Sequence, residues 1–283
     1  MHIALTVDVE DYFQVGAFET VIERSQWDHL PHRVVENTGK VLDIFAEFGL
    51  KGTFFVLGWV AERYPTLVRR IAEEGHEVAC HGYGHQRITT MSPQEFYDDI
   101  TRSRKLLQDI SGQAVAGYRA PSFTITGQTI WALDALIEAG FEYDSSIFPI
   151  RHDVYGMPEA ERFPHCIVRE AGSIREFPPT TMALSLLGKR MNFPVSGGGY
   201  LRLLPVSCLS MAFARLERQN RPCVLYFHPW EIDPGQPRIR ASLKSCFRHY
   251  LNLATTERKL RTLFTRHLFA PMSQILDEVL PDA

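Results

Sequence analysis

Short apolar segments alternate with helix-like segments along this chain, and this alternation limits its fold more than any other feature. The predicted strands cover residues 3–7, 52–57, 77–80, 115–118, 141–143 and 223–227. The predicted helices cover residues 38–48, 61–74, 92–109 and 129–139. Strands that alternate with helices are typical of a parallel sheet covered by helices. The sequence therefore predicts an α/β fold.

Polar side chains directly follow the predicted strands. Asp8, His81, Arg119, Asp144 and His228 each come immediately after one of them. The carboxyl ends of parallel strands form the active-site face of α/β barrels and open sheets. We therefore expect these five side chains, which are far apart in the sequence, to meet at one mouth of the fold.

The segment HGYGH contains two imidazoles, His81 and His85, just past a strand. Two histidines and one carboxylate are a common ligand set for a catalytic divalent metal such as zinc. Carboxylates are available after the first strand at Asp8, Glu10 and Asp11. One of them can bind the ion and another can take a proton from a metal-activated water. The alternative is a solvated acidic turn beside two surface histidines.

Arg119 lies in the segment YRAPSF. An arginine at this position can hold a carboxylate base in a fixed orientation, or it can form an ordinary surface ion pair. Pro121 is expected to stiffen the loop, and Phe123 is expected to form a wall of the pocket. We therefore expect Arg119 to support the site, and Pro121 and Phe123 to contact a substrate.

His228 lies in the segment LYFHPWE and is the candidate proton donor. Amide hydrolysis needs a proton for the leaving nitrogen, and histidine can supply it near neutral pH. Asp144 can orient this histidine or cap a turn. Trp230 can present its face to a sugar ring or belong to the core.

The bulk properties exclude some classes of protein. The net charge of −3 gives no basic excess for a nucleic-acid backbone. The first residues turn acidic at Asp8 and lack the basic and long apolar regions of a signal peptide, so a cytoplasmic location is predicted. No run reaches the roughly 20 apolar residues that a membrane span needs.

The joint pattern resembles the NodB-homology polysaccharide deacetylases, carbohydrate esterase family 4. Its five ordered motifs are matched by residues 6–11 (TVDVED), 81–85 (HGYGH), 119–123 (RAPSF), 143–146 (YDSS) and 225–228 (LYFH). Longer strings, including VDVEDYFQV, GGGYLRLLP and FHPWEIDP, resemble the deacetylase associated with exosortase and PEP-CTERM exopolysaccharide loci.

The resemblance implies a distorted (β/α)7 barrel over residues 1–240, with a loop-rich insertion at 150–205. Residues 241–283 then form a C-terminal helical extension. This extension is expected to pack on the barrel, although its basic, amphipathic sequence is also typical of a helix at a membrane surface. Gly82 departs from the family pattern, which has serine or threonine at this position.

The resemblance also implies the roles of the site residues. Asp8 takes the position of the base, His81 and His85 bind the metal with Glu10 or, alternatively, Asp11, and His228 is the acid. Glu176 is either a substrate contact or structural. The implied reaction removes N-acetyl groups from N-acetylhexosamine units of a polysaccharide or lipid-linked glycan in exopolysaccharide biosynthesis. The alternatives are an amidase for a small cyclic amide or imide, and a non-catalytic carbohydrate-binding barrel.

Overall fold

The computed structural model describes residues 2–186 and 189–281, so residue 1, two residues of the predicted insertion and two of the tail lie outside it. The strands are β1 (Ile3–Val9), β2 (Thr53–Val56), β3 (Glu77–Cys80), β4 (Gly117–Tyr118), β5 (Tyr143–Asp144), β6 (His165–Arg169), β7 (Gly172–Glu176), β8 (Thr181–Leu186), β9 (Lys189–Pro194), β10 (Cys223–Phe227) and β11 (Phe269–Ala270). The helices are α1 (Val34–Glu47), α2 (Gly58–Arg63), α3 (Pro65–Glu73), α4 (Pro93–Ser111), α5 (Ala132–Glu138), α6 (Gly199–Leu203), α7 (Val206–Arg218), α8 (Leu243–Tyr250), α9 (Leu253–Phe264) and α10 (Met272–Val279).

The main sheet has the strand order β10-β1-β2-β3-β4-β5-β7-β6, and β11 pairs with β1. The strands from β10 to β7 are parallel to their neighbours, and β6 is antiparallel at the edge. This confirms the predicted α/β fold of the NodB type. Beyond β7, Thr180 accepts a hydrogen bond from the backbone of Val224 in β10 at 2.6 Å, so the two ends of the curled sheet approach each other.

Gly197 completes this closure beside β10. It forms a parallel bridge with Tyr226, and its φ of +156° lies at the limit of the region that favours glycine. A Cβ atom at this position would lie 1.7 Å from the Tyr226 carbonyl oxygen. Only glycine fits this close approach of two backbones.

Side chains of β1 alternate between two buried clusters. Leu5, Val7 and Val9 pack on the side of the covering helices. Ala4 packs on the inner side of the curled sheet, with residues of β2, β3, β5 and β10. Because successive side chains of a strand point to opposite faces, Asp8 shares the inner side with Ala4.

Most predicted helices match the structure to within a few residues. The α4 helix begins with a capping box in which Ser92 accepts a hydrogen bond from the backbone of Glu95, and it ends at Gly112 with φ +69°. The single helix predicted at 61–74 is wrong, since Pro65 divides it into α2 and α3. Proline has no backbone N–H and starts a new helix instead of continuing one.

The prediction of a loop-rich segment at 150–205 missed two antiparallel hairpins, β6–β7 and β8–β9. The C-terminal part contains α8, α9 and α10, and β11 adds a short strand that pairs with Ile3 of β1. The predicted division of the chain at residue 240 stays a prediction. In the part of the chain that the structure describes, no helix has the length and apolar character to cross a bilayer.

Candidate active site

Glu10, His81 and His85 lie together just beyond the carboxyl ends of β1 and β3. Each offers one ligand atom, and these atoms all lie within 4.8 Å of one another. The Nε2 atom of His85 is 3.0 Å from Oε2 of Glu10, and the latter atom is buried without a hydrogen-bond partner among the described residues. A buried oxygen without a partner between two imidazoles fits a cation held by all three side chains.

The loop geometry orients both imidazoles. The Nδ1 atom of His81 donates to the backbone oxygen of Arg119 at 2.7 Å, which leaves Nε2 as the lone-pair nitrogen. Gly82 has φ +71°, and His85 has φ +49°. The left-handed backbone at residue 82 favours glycine, whereas the family pattern has serine or threonine there. A strained non-glycine residue such as His85 is typical of functional loops.

The electrostatics of these three groups suit a cation. Burial lowers the pKa of His81 to about 4 and that of His85 well below its ordinary value, so both imidazoles are neutral at pH 7. Burial raises the pKa of Glu10 to about 7, against the lowering effect of His228. Neutral imidazoles bind metals directly, and a bound cation favours the ionised form of a buried carboxyl.

Asp11, the alternative metal carboxylate, lies outside this group. Its carboxylate accepts hydrogen bonds from the backbone N–H groups of Tyr12 at 2.9 Å, Arg33 at 2.7 Å and Val34 at 2.9 Å. Two of these donors lie at the start of α1, so Asp11 satisfies the unpaired N–H groups there. Between the two carboxylates that the sequence left open, the geometry favours Glu10.

Asp8 is held by a buried arginine. Arg119 Nη1 donates to Asp8 Oδ1 at 2.6 Å and to Thr6 Oγ1 at 2.8 Å, while Nη2 donates to Ser145 Oγ at 3.0 Å. The guanidinium also lies 4.1 Å from the centre of the Phe55 ring. Asp8 Oδ2 is left to face His228, whose Nε2 atom is 3.9 Å away. This carboxylate therefore has one anchored oxygen and one oxygen directed into the site.

His228 is oriented by a buried chain of charges that the sequence analysis missed. Its Nδ1 atom donates to Glu231 Oε2 at 3.0 Å, and Arg202 Nε donates to Glu231 Oε1 at 2.6 Å. The Nε2 atom of His228 then points to Glu10, at 3.1 Å. The spacing H-x-x-E at a helical turn is a signal that could have identified Glu231. Arg202 is 29 residues away from Glu231 and gives no local signal.

The charges around His228 favour its protonated form. Burial alone lowers the pKa of His228, but the carboxylates of Glu10, Glu231 and Asp8 outweigh burial and raise this pKa to about 9. Burial raises the pKa of Glu231, but Arg202 and His228 overcome this effect and lower it to about 2. His228 can therefore donate a proton at neutral pH.

Asp144 and Glu176 do not line the cavity but form a carboxyl pair behind the site. Burial raises the pKa of both groups, that of Glu176 well above its ordinary value. Asp144 accepts a hydrogen bond from Ser146 Oγ at 2.5 Å, and this oxygen accepts one from the backbone of Ala120 at 2.7 Å. These two acids therefore support the loop after Arg119, and Asp144 does not contact His228.

A cavity of about 650 Å³ leads to the site. Phe123 and Trp230 line it, whereas Pro121 is buried in the loop behind it. That these three residues contact a substrate stays a prediction. The Trp230 ring is stacked between the imidazoles of His228, at 5.2 Å, and His249, at 4.2 Å. Only an edge of Trp230 can reach a ligand, because it is 4% exposed.

The arrangement combines a candidate cation site, an anchored carboxylate and an imidazole whose protonated form is favoured, all at one cavity. Asp8 can accept a proton from a water, and His228 can donate one on the other side of a bound amide. Such a set is suited to hydrolysis of an unactivated amide bond.

Comparison with known proteins agrees with this chemistry. Residues 25–143 match the family model described as Polysaccharide deacetylase, and residues 145–277 match a model described as a domain of unknown function, DUF3473. Residues 25–143, which are less than half of the chain, therefore match a polysaccharide deacetylase domain.

Individual relatives support the same assignment. A peptidoglycan-N-acetylglucosamine deacetylase of Bacillus cereus is 35% identical over 101 residues, which are 35% of this chain and 37% of the relative. The chain thus spans about a third of the length of the curated relatives it matches.

The crystal structure of a candidate polysaccharide deacetylase from Mycobacterium smegmatis has a TM-score of 0.64 at 21% identity, covering 98% of this chain and 89% of that one. Puue Allantoinase has a TM-score of 0.62 at 13% identity, covering 100% and 92%. These two structures share the fold.

Proposed function

We propose that this chain, which carries a polysaccharide deacetylase domain, removes N-acetyl groups from N-acetylhexosamine units of a glycan. The proposal depends on one observation. Glu10, His81 and His85 form a cation site that faces Asp8 and His228 across one cavity. The names of the matched relatives, which include peptidoglycan and chitooligosaccharide deacetylases, support the same substrate class.

Glu10, His81 and His85 would hold a divalent metal, and we propose zinc because two imidazoles and a carboxylate are its usual catalytic ligands. When bound, the metal supplies a Lewis acid that acidifies water and polarises the acetamide carbonyl. Asp8 takes a proton from the attacking water through its free Oδ2 atom, while Arg119 keeps the carboxylate in place.

His228 gives its proton to the amide nitrogen as the carbon–nitrogen bond breaks. Glu231 keeps the Nδ1–H of His228 in a hydrogen bond, so the proton on Nε2 is the one directed at the substrate. The new carbon–oxygen bond comes from water, and the products are acetate and a glycan with a free amine. Glu231 and Arg202 are positioning residues in this scheme.

The glycan in our proposal is an exopolysaccharide or its lipid-linked precursor. The support is the resemblance of two strings, VDVEDYFQV at residues 7–15 and FHPWEIDP at residues 227–234, to the deacetylase of exopolysaccharide loci. A second candidate, an amidase for a small cyclic amide, is favoured by the fold shared with the allantoinase. The cavity of about 650 Å³ has exposed side chains such as Phe247 at its mouth, which suits a substrate that extends outside.

Release of acetate from N-acetylhexosamine oligomers tests the proposal. We expect activity in the metal-loaded protein, loss of activity with a chelator, and recovery after addition of zinc. Allantoin serves as the competing substrate in the same assay. Hydrolysis of allantoin without release of acetate from any glycan would replace the proposal with the second candidate.

A further inference from the structure

We propose that the mouth of the cavity docks on an anionic phospholipid surface. The proposed surface, here called the rim, consists of the α8 helix, the β8–β9 hairpin and the end of α6, all beside the cavity. Its described members are the apolar side chains Leu184, Met191, Phe193, Leu203, Leu243 and Phe247, and the basic side chains Lys244 and Arg248.

The α8 helix has its apolar side chains on the outside. Leu243 is 90% exposed and Phe247, four residues later, is 62% exposed. The only side chain of this helix that is buried among the described residues is His249. Residues four apart lie on the same side of a helix, so Leu243 and Phe247 form one outward apolar stripe. This orientation is the reverse of a helix that packs its apolar face on a core, and it is typical of helices at a lipid interface.

The β8–β9 hairpin adds a second apolar surface. Leu184 and Met191 are directly paired across the two strands and are 48% and 61% exposed. Phe193 lies two residues from Met191, on the same side of the strand. Its ring is 6.1 Å from that of Tyr200, which lines the cavity. The hairpin surface therefore continues to the mouth of the cavity.

The charges of the rim match an anionic surface. Lys244 and Arg248 repeat the four-residue spacing of the apolar stripe, and both line the cavity mouth. Lys244 pairs with Asp153 at 3.0 Å, whereas Arg248 has no ion pair among the described residues. Exposed Arg240 lies just before the helix. Basic side chains next to an apolar stripe attract anionic lipid headgroups while the apolar side chains insert.

The position of the rim has a consequence for the substrate. Lys244, Phe247 and Leu203 line the same cavity that contains Asp8 and His228, so docking would bring the site to the lipid surface. A glycan anchored to a lipid would then enter the cavity from the membrane side. This consequence, unlike the docking itself, rests on the proposed deacetylase function.

Sedimentation of the full-length protein with vesicles tests the docking. We expect binding to vesicles of phosphatidylglycerol and phosphatidylcholine, and about tenfold weaker binding to pure phosphatidylcholine. Leu243→Ser/Phe247→Ser should weaken binding to the mixed vesicles by about tenfold. Lys244→Gln/Arg248→Gln should remove most of the difference between the two kinds of vesicle. Because all four side chains are exposed, these variants should keep the wild-type melting temperature.

A matched control removes exposed apolar side chains elsewhere, in Val168→Ser/Met211→Ser, and should bind vesicles as the wild type does. Equal losses in the control and the rim variant, or no wild-type binding to mixed vesicles, would overturn the docking proposal. Acetate release from a soluble N-acetylhexosamine oligomer is measured separately. Acetate release without vesicle binding rejects docking alone, whereas vesicle binding without acetate release from any glycan supports docking and rejects the proposed function.

Discussion

The Nδ1 atom of His228 lies 3.0 Å from Oε2 of Glu231, three residues further along the chain. Glu231 also accepts a hydrogen bond from the backbone N–H of His228 at 2.9 Å, so it fixes both the ring and the backbone of this histidine. A carboxylate in this position selects the imidazole tautomer and stabilises its protonated form. In the proposed reaction, this contact prepares the proton donor.

Glu231→Gln should therefore lower kcat by about a hundredfold, the lower range for loss of a positioned acid. KM and the metal content should change little, because Glu231 lies behind His228 and outside the cation site. The control is Glu217→Gln, which removes a similar carboxylate contact to His267, at 2.9 Å, away from the cavity. A kcat in Glu231→Gln equal to that of this control would contradict the assigned role.

Substitution of the two carboxylates after β1, Glu10 and Asp11, should have different effects on metal content. Glu10→Ala should lose most of the bound metal, because its carboxylate belongs to the candidate ligand set. Asp11→Ala should keep the metal but lose about 1–3 kcal/mol of stability, because three backbone N–H groups lose their acceptor. Metal content and denaturant unfolding are measured on both variants. The reverse pattern would assign the ligand to Asp11.

The buried ion pair between Arg202 and Glu231 should contribute to the free energy of unfolding. Arg202→Met should lower the free energy of unfolding by about 3–5 kcal/mol. The Glu231 carboxylate would stay buried with only His228 as its partner, and the backbone oxygens of His249 and Leu251 would lose their donor. The exposed pair of Arg261 and Glu47 is the comparison, and Arg261→Met should cost only about 0–1 kcal/mol. If the two variants lose similar amounts of unfolding free energy, burial does not determine how much each ion pair contributes to stability.

The acid sensitivity of the fold should depend on His76. Burial, with a smaller effect of Lys51, lowers the pKa of this histidine to about 4 in the folded state, from 6.5 in the unfolded chain. Below pH 6.5 the unfolded chain therefore binds more protons, and stability falls as the pH approaches 4. His76→Gln should reduce the loss of unfolding free energy between pH 7 and pH 4 by about 3 kcal/mol.

Urea unfolding at the two pH values measures this difference, and the exposed His29→Gln variant is the control. The absolute stability of His76→Gln does not matter, since only the change with pH is compared. A loss as large as in the wild type would show that other groups cause the acid sensitivity.

Much of the fold follows from local sequence patterns. The strands that precede Asp8, His81, Arg119 and His228 are apolar runs of ordinary length, and the structure has strands at all four positions. The hairpins at 165–194 were missed because their strands are half exposed and separated by glycine and proline, so their periodicity is weak. Pairing between such strands is decided by tertiary contacts that the sequence does not display.

The sequence predicts the side chains that would react directly, but it does not predict the residues that support them. Motif spacing brings Asp8, His81, His85 and His228 into consideration, and the structure places them at one cavity. The supporting contacts depend on residues that are distant in sequence, such as Arg202 with Glu231. The sequence does not decide between the two roles of Asp144. A carboxyl at the end of a strand gives the same sequence pattern whether it faces a ligand or supports a loop.

The pairing of β1 with β10 also bears on how the chain is made. Leu5 pairs with Leu225, so β1 lacks this neighbour until a strand that is synthesised 220 residues later emerges from the ribosome. At roughly 5–20 residues per second, this interval lasts roughly 10–45 seconds. During that time one edge of the central β1 strand is open to other chains, and nascent polypeptides of this protein should depend on holding chaperones until Cys223–Phe227 emerges.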